Sequence, residues 1–177
     1  YQNFYTFCGV LSQRNIFVNA AKEMLKIGDT ARAIELLDMC QECVPEENFP
    51  LDITYLGFSN EYMVIGMAEA YYAAGAPEKA EDLLRRMADQ LFVSLEFFSG
   101  FGSYSSHELE KVCSSLEFAM QVAAEGGSKE FAEEILDRFG TETSIKVGSN
   151  ENRFLLTTKC VVSDGLVSWI MQFGDKI

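Results

Sequence analysis

Cys40 and Cys43 stand in a C-x-x-C arrangement, in which one thiolate attacks a disulfide and the second resolves it. Such a pair works where a loop enters a helix, because the helix N-terminus stabilises the thiolate. Here both cysteines fall late in an expected helix and Cys40 occupies a packing position, so the pair reads as core. Two thiols also fall short of the four ligands of a structural zinc site. His107 is the sole histidine and sits beside Ser105 and Ser106. Neighbours in sequence do not make a triad, and no oxyanion-hole motif accompanies them, so His107 reads as a solvent-facing residue at a helix start. The acid pairs Glu46-Glu47 and Glu133-Glu134 lack the interleaved ligands of a calcium loop. Gly100 to Gly102 lacks the strand and glycine spacing of a phosphate loop. No catalytic residue, cofactor or metal site is expected. A thiol-dependent redox enzyme using Cys40 and Cys43 stands as an alternative.

The chain that must position these residues has 177 of them, 48% hydrophobic, which is enough for a real core. With 14 Phe, 7 Tyr and only 3 Pro, the composition argues against disorder. No apolar run reaches the roughly 18 residues of a membrane span, and the segment is expected to be soluble. The net charge of −13 argues against a nucleic-acid partner, since binding there depends on cations that displace counterions. Most of the carboxylates are expected to solvate outward helix faces. Five cysteines form an odd, scattered set that does not resemble a disulfide framework and leaves the redox compartment open.

Spacings of three and four predict helices over most of residues 1–139. The first runs to Leu25 and ends at Gly28, with Ser12–Asn15 either breaking it or forming its polar face. Asp29 or Thr30 caps a second, from Ala31 to Val44, which Pro45 closes. Residues 46–60 show no period and read as a connector. A third helix spans Asn60–Ala74 with Tyr71 facing inward. Pro77 opens a fourth, which extends as far as Phe98. Residues 99–106 read as a flexible loop ending in a cap at Ser106. Helices five and six span Glu108–Glu125 and Lys129–Phe139. The character then changes: Arg153–Val162 and Leu166–Phe173 alternate around the turn Ser163-Asp164-Gly165 and predict a β-hairpin, with residues 145–147 as a third strand. A continuing helix is the rival. The expected organisation is a helical domain over 1–140 and a tail over 141–177 packed on it.

Three short runs share one grammar, in which an alanine follows a glycine by five positions: Gly28 and Ala33, Gly75 and Ala80, Gly127 and Ala132. Glycine makes a tight turn, and small residues such as Ala21, Ala33, Ala68 and Ala80 let two helices approach. The pattern resembles the tetratricopeptide repeat (TPR), a helix–turn–helix unit of about 34 residues. The resemblance implies a mainly α, irregular TPR-like array of about three hairpins. The glycines here stand further apart than that period, which places insertions at residues 46–60 and 92–108. If the hairpins stack, their first helices line a shared face. By register that face carries Asn15, Val18, Lys22 and Leu25, then Tyr62, Ile65, Glu69 and Tyr72. Asn15, Lys22, Tyr62, Glu69 and Tyr72 form the candidate groove. Packing of these residues against the connector or tail is the alternative.

A second resemblance rests on the run Gly28 to Ala33 with Leu37 and Asp38, then Val44-Pro45 and Asn48-Phe49-Pro50. It continues through Met67 to Tyr72 with Gly75, Lys79-Ala80 and Met87-Ala88-Asp89. Over about residues 14–139 these are similar to the soluble C-terminal region of a bacterial membrane-protein family, often from Bacteroidetes and of unknown function. The multi-spanning N-terminal part of that family looks like a protein-O-mannosyltransferase-type glycosyltransferase. The resemblance implies a membrane contact made only through a missing N-terminal region, with this segment on the periplasmic face of the inner membrane. It also implies that any catalytic acids lie elsewhere. The function expected is non-enzymatic binding or scaffolding of a protein or peptide partner, with a ligand-free structural spacer as the alternative.

Overall fold

The computed structural model describes residues 4–52, 54–55 and 58–146, and these are mainly helical. The elements, in order, are α1 (Phe4–Lys26), α2 (Thr30–Cys43), β1 (Thr54–Tyr55), β2 (Phe58–Ser59), α3 (Asn60–Ala73), α4 (Pro77–Ser99), a 3₁₀ turn (Gly102–Ser105), α5 (Ser106–Glu125) and α6 (Lys129–Lys146). β1 and β2 form a minimal antiparallel ladder, Thr54 opposite Ser59 and Tyr55 opposite Phe58.

The three glycines of the repeated runs all adopt the left-handed conformation, with φ of 83° at Gly28, 81° at Gly75 and 93° at Gly127. Each turn closes with the same pair of bonds. Gly28 N–H donates to Leu25 O and Asp29 N–H to Met24 O. Gly75 and Ala76 repeat this on Tyr72 and Tyr71, and Gly127 and Ser128 on Ala124 and Ala123. This double closure satisfies the orphan carbonyls of the outgoing helix and reverses the chain within a few residues. The alanine that follows is then buried: Ala33 and Ala80 fully, Ala132 to 3% exposure. The next helices begin differently. The Asp29 carboxylate accepts from Arg32 N–H as an N-cap, whereas α4 relies on Pro77 and has no side-chain cap.

Three hairpins result, α1 with α2, α3 with α4 and α5 with α6. α1 touches α3 and α3 touches α5, so the first helices stand in a row, and α4 packs on α5 across the second junction. The core runs through all three hairpins and includes Leu37, Leu84, Met87, Leu91, Phe92 and Leu116. Fully burying one such side chain contributes about 1.5–3 kcal/mol. The seam of the first two hairpins is polar at its edge. There the Tyr71 hydroxyl donates to Asp38 at 2.8 Å and accepts from Gln41 at 2.9 Å. Gln41 in turn accepts from Arg86 at 2.6 Å, and Lys79 pairs with Asp38. The connector is tied to α4, with Leu51 N–H donating to Gln90 at 2.6 Å and Ser94 to Asp52 at 2.5 Å.

Several expectations need correction. α1 is continuous through Ser12–Asn15, and Arg14, read as part of a polar face, is turned inward and buried. α6 runs past Gly140 to Lys146, so the change of character does not end the helix and Ile145 is not in a strand. One glycine costs an α-helix only about 1 kcal/mol, and Gly140 is itself helical with no proline after it. Residues 99–106 are taken up by the end of α4, the 3₁₀ turn and the start of α5. The cap position of α5 is Ser105, not Ser106, and its hydroxyl donates to Phe98 O instead of capping. The β-hairpin expected over 153–173 lies outside the described residues.

Candidate interaction surface

The row α1–α3–α5 presents one outward face, because residues at helical spacing on each helix point the same way. On α1 this face holds Asn15, Asn19 and Lys22, on α3 Tyr62 and Glu69, and on α5 Phe118, Gln121 and Glu125. Val18 and Ile65, placed on this face by register, are instead buried at 5% exposure and belong to the hydrophobic core. Gly66 lies in the α1–α3 contact, its position facing Val18 Cγ1 and Lys22 Nζ at 3.6 and 3.8 Å from an added Cβ.

Two cross-helix pairs define the face. Lys22 Nζ donates to Glu69 at 3.0 Å between α1 and α3, with both side chains about half exposed. In water such a pair contributes at most about 1 kcal/mol. Tyr62 on α3 meets Phe118 on α5 edge to face, ring centroids 5.7 Å apart and planes at 63°. Tyr62 remains 52% exposed and Phe118 43%. Two aromatic rings held against each other yet open to solvent are an uncommon use of apolar area. Within α1, Asn15 accepts from Asn19 at 3.3 Å, and within α5 Gln121 donates to Glu125 at 2.8 Å.

Tyr72 leaves the candidate groove. Its ring lies under the turn between α5 and α6, where a Cβ on Gly126 would come within 2.5 Å of the ring. Its hydroxyl is buried without a hydrogen-bond partner. Burial holds the phenol above its ordinary pKa. Ser128 lies close enough to oppose that shift, but its hydroxyl donates to Glu81 and makes no bond of sound geometry with the phenol. Lys22 and Glu69 meet across α1 and α3, and Asn15 and Tyr62 are exposed on the same two helices. Phe118 was missed because the third repeat is the weakest in sequence. Counted back from the left-handed glycines, however, it occupies the register of Asn19 and Gly66.

The residues considered for chemistry are not brought together. Cys40 is fully buried, and burial pushes its thiol up to about 11, which keeps it protonated at neutral pH. Cys43 is exposed and closes α2. Cys113 is buried and disulfide-bonded. His107 is exposed, while the buried Ser105 hydroxyl is committed to Phe98 O. Glu46 pairs with Arg86 and Glu134 with Arg85. Among the described residues no cluster of three or more His, Cys, Asp or Glu is placed to hold a metal, and no helix is long and apolar enough to cross a membrane. No protein-family model, curated protein or solved structure matches the chain.

Proposed function

We propose that the chain is an irregular TPR-like array whose row of first helices binds a segment of a protein partner. The observation that carries this reading is the exposed Tyr62–Phe118 pair bridging α3 and α5 beside the Lys22–Glu69 ion pair. Aromatic anchors with a hydrogen-bonding tip dominate binding energy at protein interfaces, and neighbouring charges set register more than affinity. The reading is tested by selecting peptides from a displayed library on the purified domain, with counter-selection on the Tyr62→Ala/Phe118→Ala variant. Enriched peptides are expected to bind the double variant at least about tenfold more weakly by calorimetry. Equal affinity for both proteins overturns it.

The resemblance to the bacterial membrane-protein family extends the proposal: the array is an accessory periplasmic region of a membrane-anchored, glycosyltransferase-like protein. Reading the gene upstream of Tyr1 tests this, and the absence of a multi-spanning segment overturns it. A ligand-free spacer is favoured by a specific observation, since Lys22 and Glu69 satisfy each other, as do Asn15 and Asn19. A spacer retains full function in cells when Tyr62 and Phe118 are both alanine, whereas a binding module loses it.

A further inference from the structure

Cys113 on α5 is held in a disulfide, and the other four cysteines narrow its partner. Cys40 and Cys43 are both free thiols, which leaves Cys8 and Cys160. Cys8 belongs to α1, and α3 stands between α1 and α5. Packed helix axes lie about 8–10 Å apart, so α1 and α5 are separated by roughly 16–20 Å. A disulfide joins Cα atoms no more than about 7 Å apart. The side of α5 that Cys113 occupies argues the same way. Phe118 meets Tyr62 and so marks the flank turned to α3. Cys113, five residues earlier, lies about 140° round the helix from it, turned away from α3 and from α1 beyond.

That flank is the far end of the row, since α5 and α6 form the last of the described hairpins. In a helical-repeat array each unit covers its neighbour, and the terminal unit needs a cap where no further hairpin follows. α5 and α6 run antiparallel about Gly127, which sets Cys113 level with about Gly140, roughly one and a half turns before α6 ends at Lys146. Residues 147–177 therefore depart from the same end of the hairpin as Cys113. Fourteen residues lead from Lys146 to Cys160, an extended reach of about 45 Å, which is ample for a return across α5. Large apolar residues lie on both sides of Cys160, among them Leu155, Val161, Leu166 and Trp169. Cys113 itself is only 4% exposed, so its bond is shielded from reductants.

We infer that Cys113 is bonded to Cys160, and that this disulfide staples residues 147–177 over the open flank of α5 as the cap of the array. The bond forms by exchange with an external disulfide, glutathione disulfide or that of an oxidoreductase. One of the two thiolates attacks it and releases a first thiol, and the other then attacks the mixed disulfide and releases a second. Cys113 and Cys160 are oxidised by two electrons, and the external disulfide is reduced to two thiols and takes up their two protons. Such bonds persist in oxidising compartments, as the proposed periplasmic location requires, but the pairing itself rests neither on that reading nor on the α1–α3–α5 face.

The test is a peptide map of the folded protein after equilibration with a glutathione redox buffer. The sample is quenched in acid, alkylated in denaturant and digested without reduction. Mass spectrometry is expected to find Cys113 cross-linked to Cys160, with Cys8 alkylated. A pair between Cys113 and Cys8 overturns the inference, and so does an alkylated Cys113. Cys160→Ser is expected to lower the melting temperature by about 5–15 °C in the oxidised protein and to have little effect in reductant. Cys8→Ser should change neither. An equal loss with and without reductant means that Cys160 only packs, which overturns the staple. If Cys160→Ser does not fold, the peptide map of the unaltered protein decides. Limited proteolysis reads the cap separately: reduction is expected to speed tryptic cleavage at Arg153 and Lys159 at least about tenfold. Unchanged cleavage overturns the cap.

Discussion

Three residues apart on α2, Cys40 and Cys43 have opposite environments, and the difference is measurable. Cys40 is fully buried and Cys43 exposed, so an alkylating agent at neutral pH is expected to modify Cys43 in the folded protein and Cys40 only after unfolding. Mass spectrometry of the labelled peptides reads this directly, and rapid labelling of Cys40 contradicts the packing. The same burial creates a pH dependence. The Cys40 thiol has a folded pKa of about 11 against 9.0 when unperturbed. The folded state therefore keeps a proton that the unfolded chain loses. The stabilisation is complete below pH 9.0 and disappears as the pH rises to about 11. Its ceiling is on the order of 2–3 kcal/mol. Tyr71, raised by burial and its bond to Asp38, acts in the same direction at still higher pH. Urea midpoints at about pH 8 and about pH 10 are expected to differ less in Cys40→Ala than in the unaltered protein, whatever the cavity costs at both. Equal pH slopes would place Cys40 in contact with water.

At the scale of the element, the three turns were legible in the sequence because glycine is the residue that enters a left-handed conformation without steric cost. Helix bodies were legible from their period, since Ala33, Leu37 and Cys40 or Ala80, Leu84 and Met87 mark one buried stripe each. Helix ends without such chemistry were not. Gly126 and Gly127 look alike in sequence, yet only Gly127 has positive φ, while Gly126 is right-handed at −73° and packed on Tyr72. Long-range contact of this kind leaves no local signal, which is also why helical register alone places Tyr72 on the surface. The two glycines should therefore respond differently to alanine. Gly127→Ala meets no atom within 4 Å and costs only backbone strain, about 1–2 kcal/mol. Gly126→Ala gains helix propensity but drives a methyl into the Tyr72 ring, a net loss of about 1–3 kcal/mol. Adding Tyr72→Leu should recover part of the Gly126→Ala loss and none of the Gly127→Ala loss. Chemical denaturation of the set distinguishes them, and equal recovery would deny the contact.

Across the whole molecule, one row of helices divides its side chains between building the array and facing outward, and α3 shows the division most clearly. Tyr71 is fully buried with its hydroxyl bonded to Asp38 and Gln41, whereas Tyr62 is half exposed against Phe118. Removing a buried aromatic costs about 3–5 kcal/mol, so Tyr71→Ala should strongly destabilise the array. Tyr62→Ala and Phe118→Ala should each cost about 0.5–1.5 kcal/mol, most of it the coupling of their edge-to-face contact. Stability alone thus tells the platform from the face it displays. Affinity should give the opposite ranking: losing either exposed ring is expected to cost a selected peptide about 2 kcal/mol or more. Lys22→Ala, which removes only an exposed ion-pair partner, should chiefly change the salt dependence of association. If Tyr62→Ala destabilises the array as much as Tyr71→Ala, the aromatic pair is part of the core and the binding face must be sought elsewhere. If it leaves both stability and peptide affinity unchanged, the pair anchors nothing, and the array acts as a spacer whose outward polar groups satisfy one another.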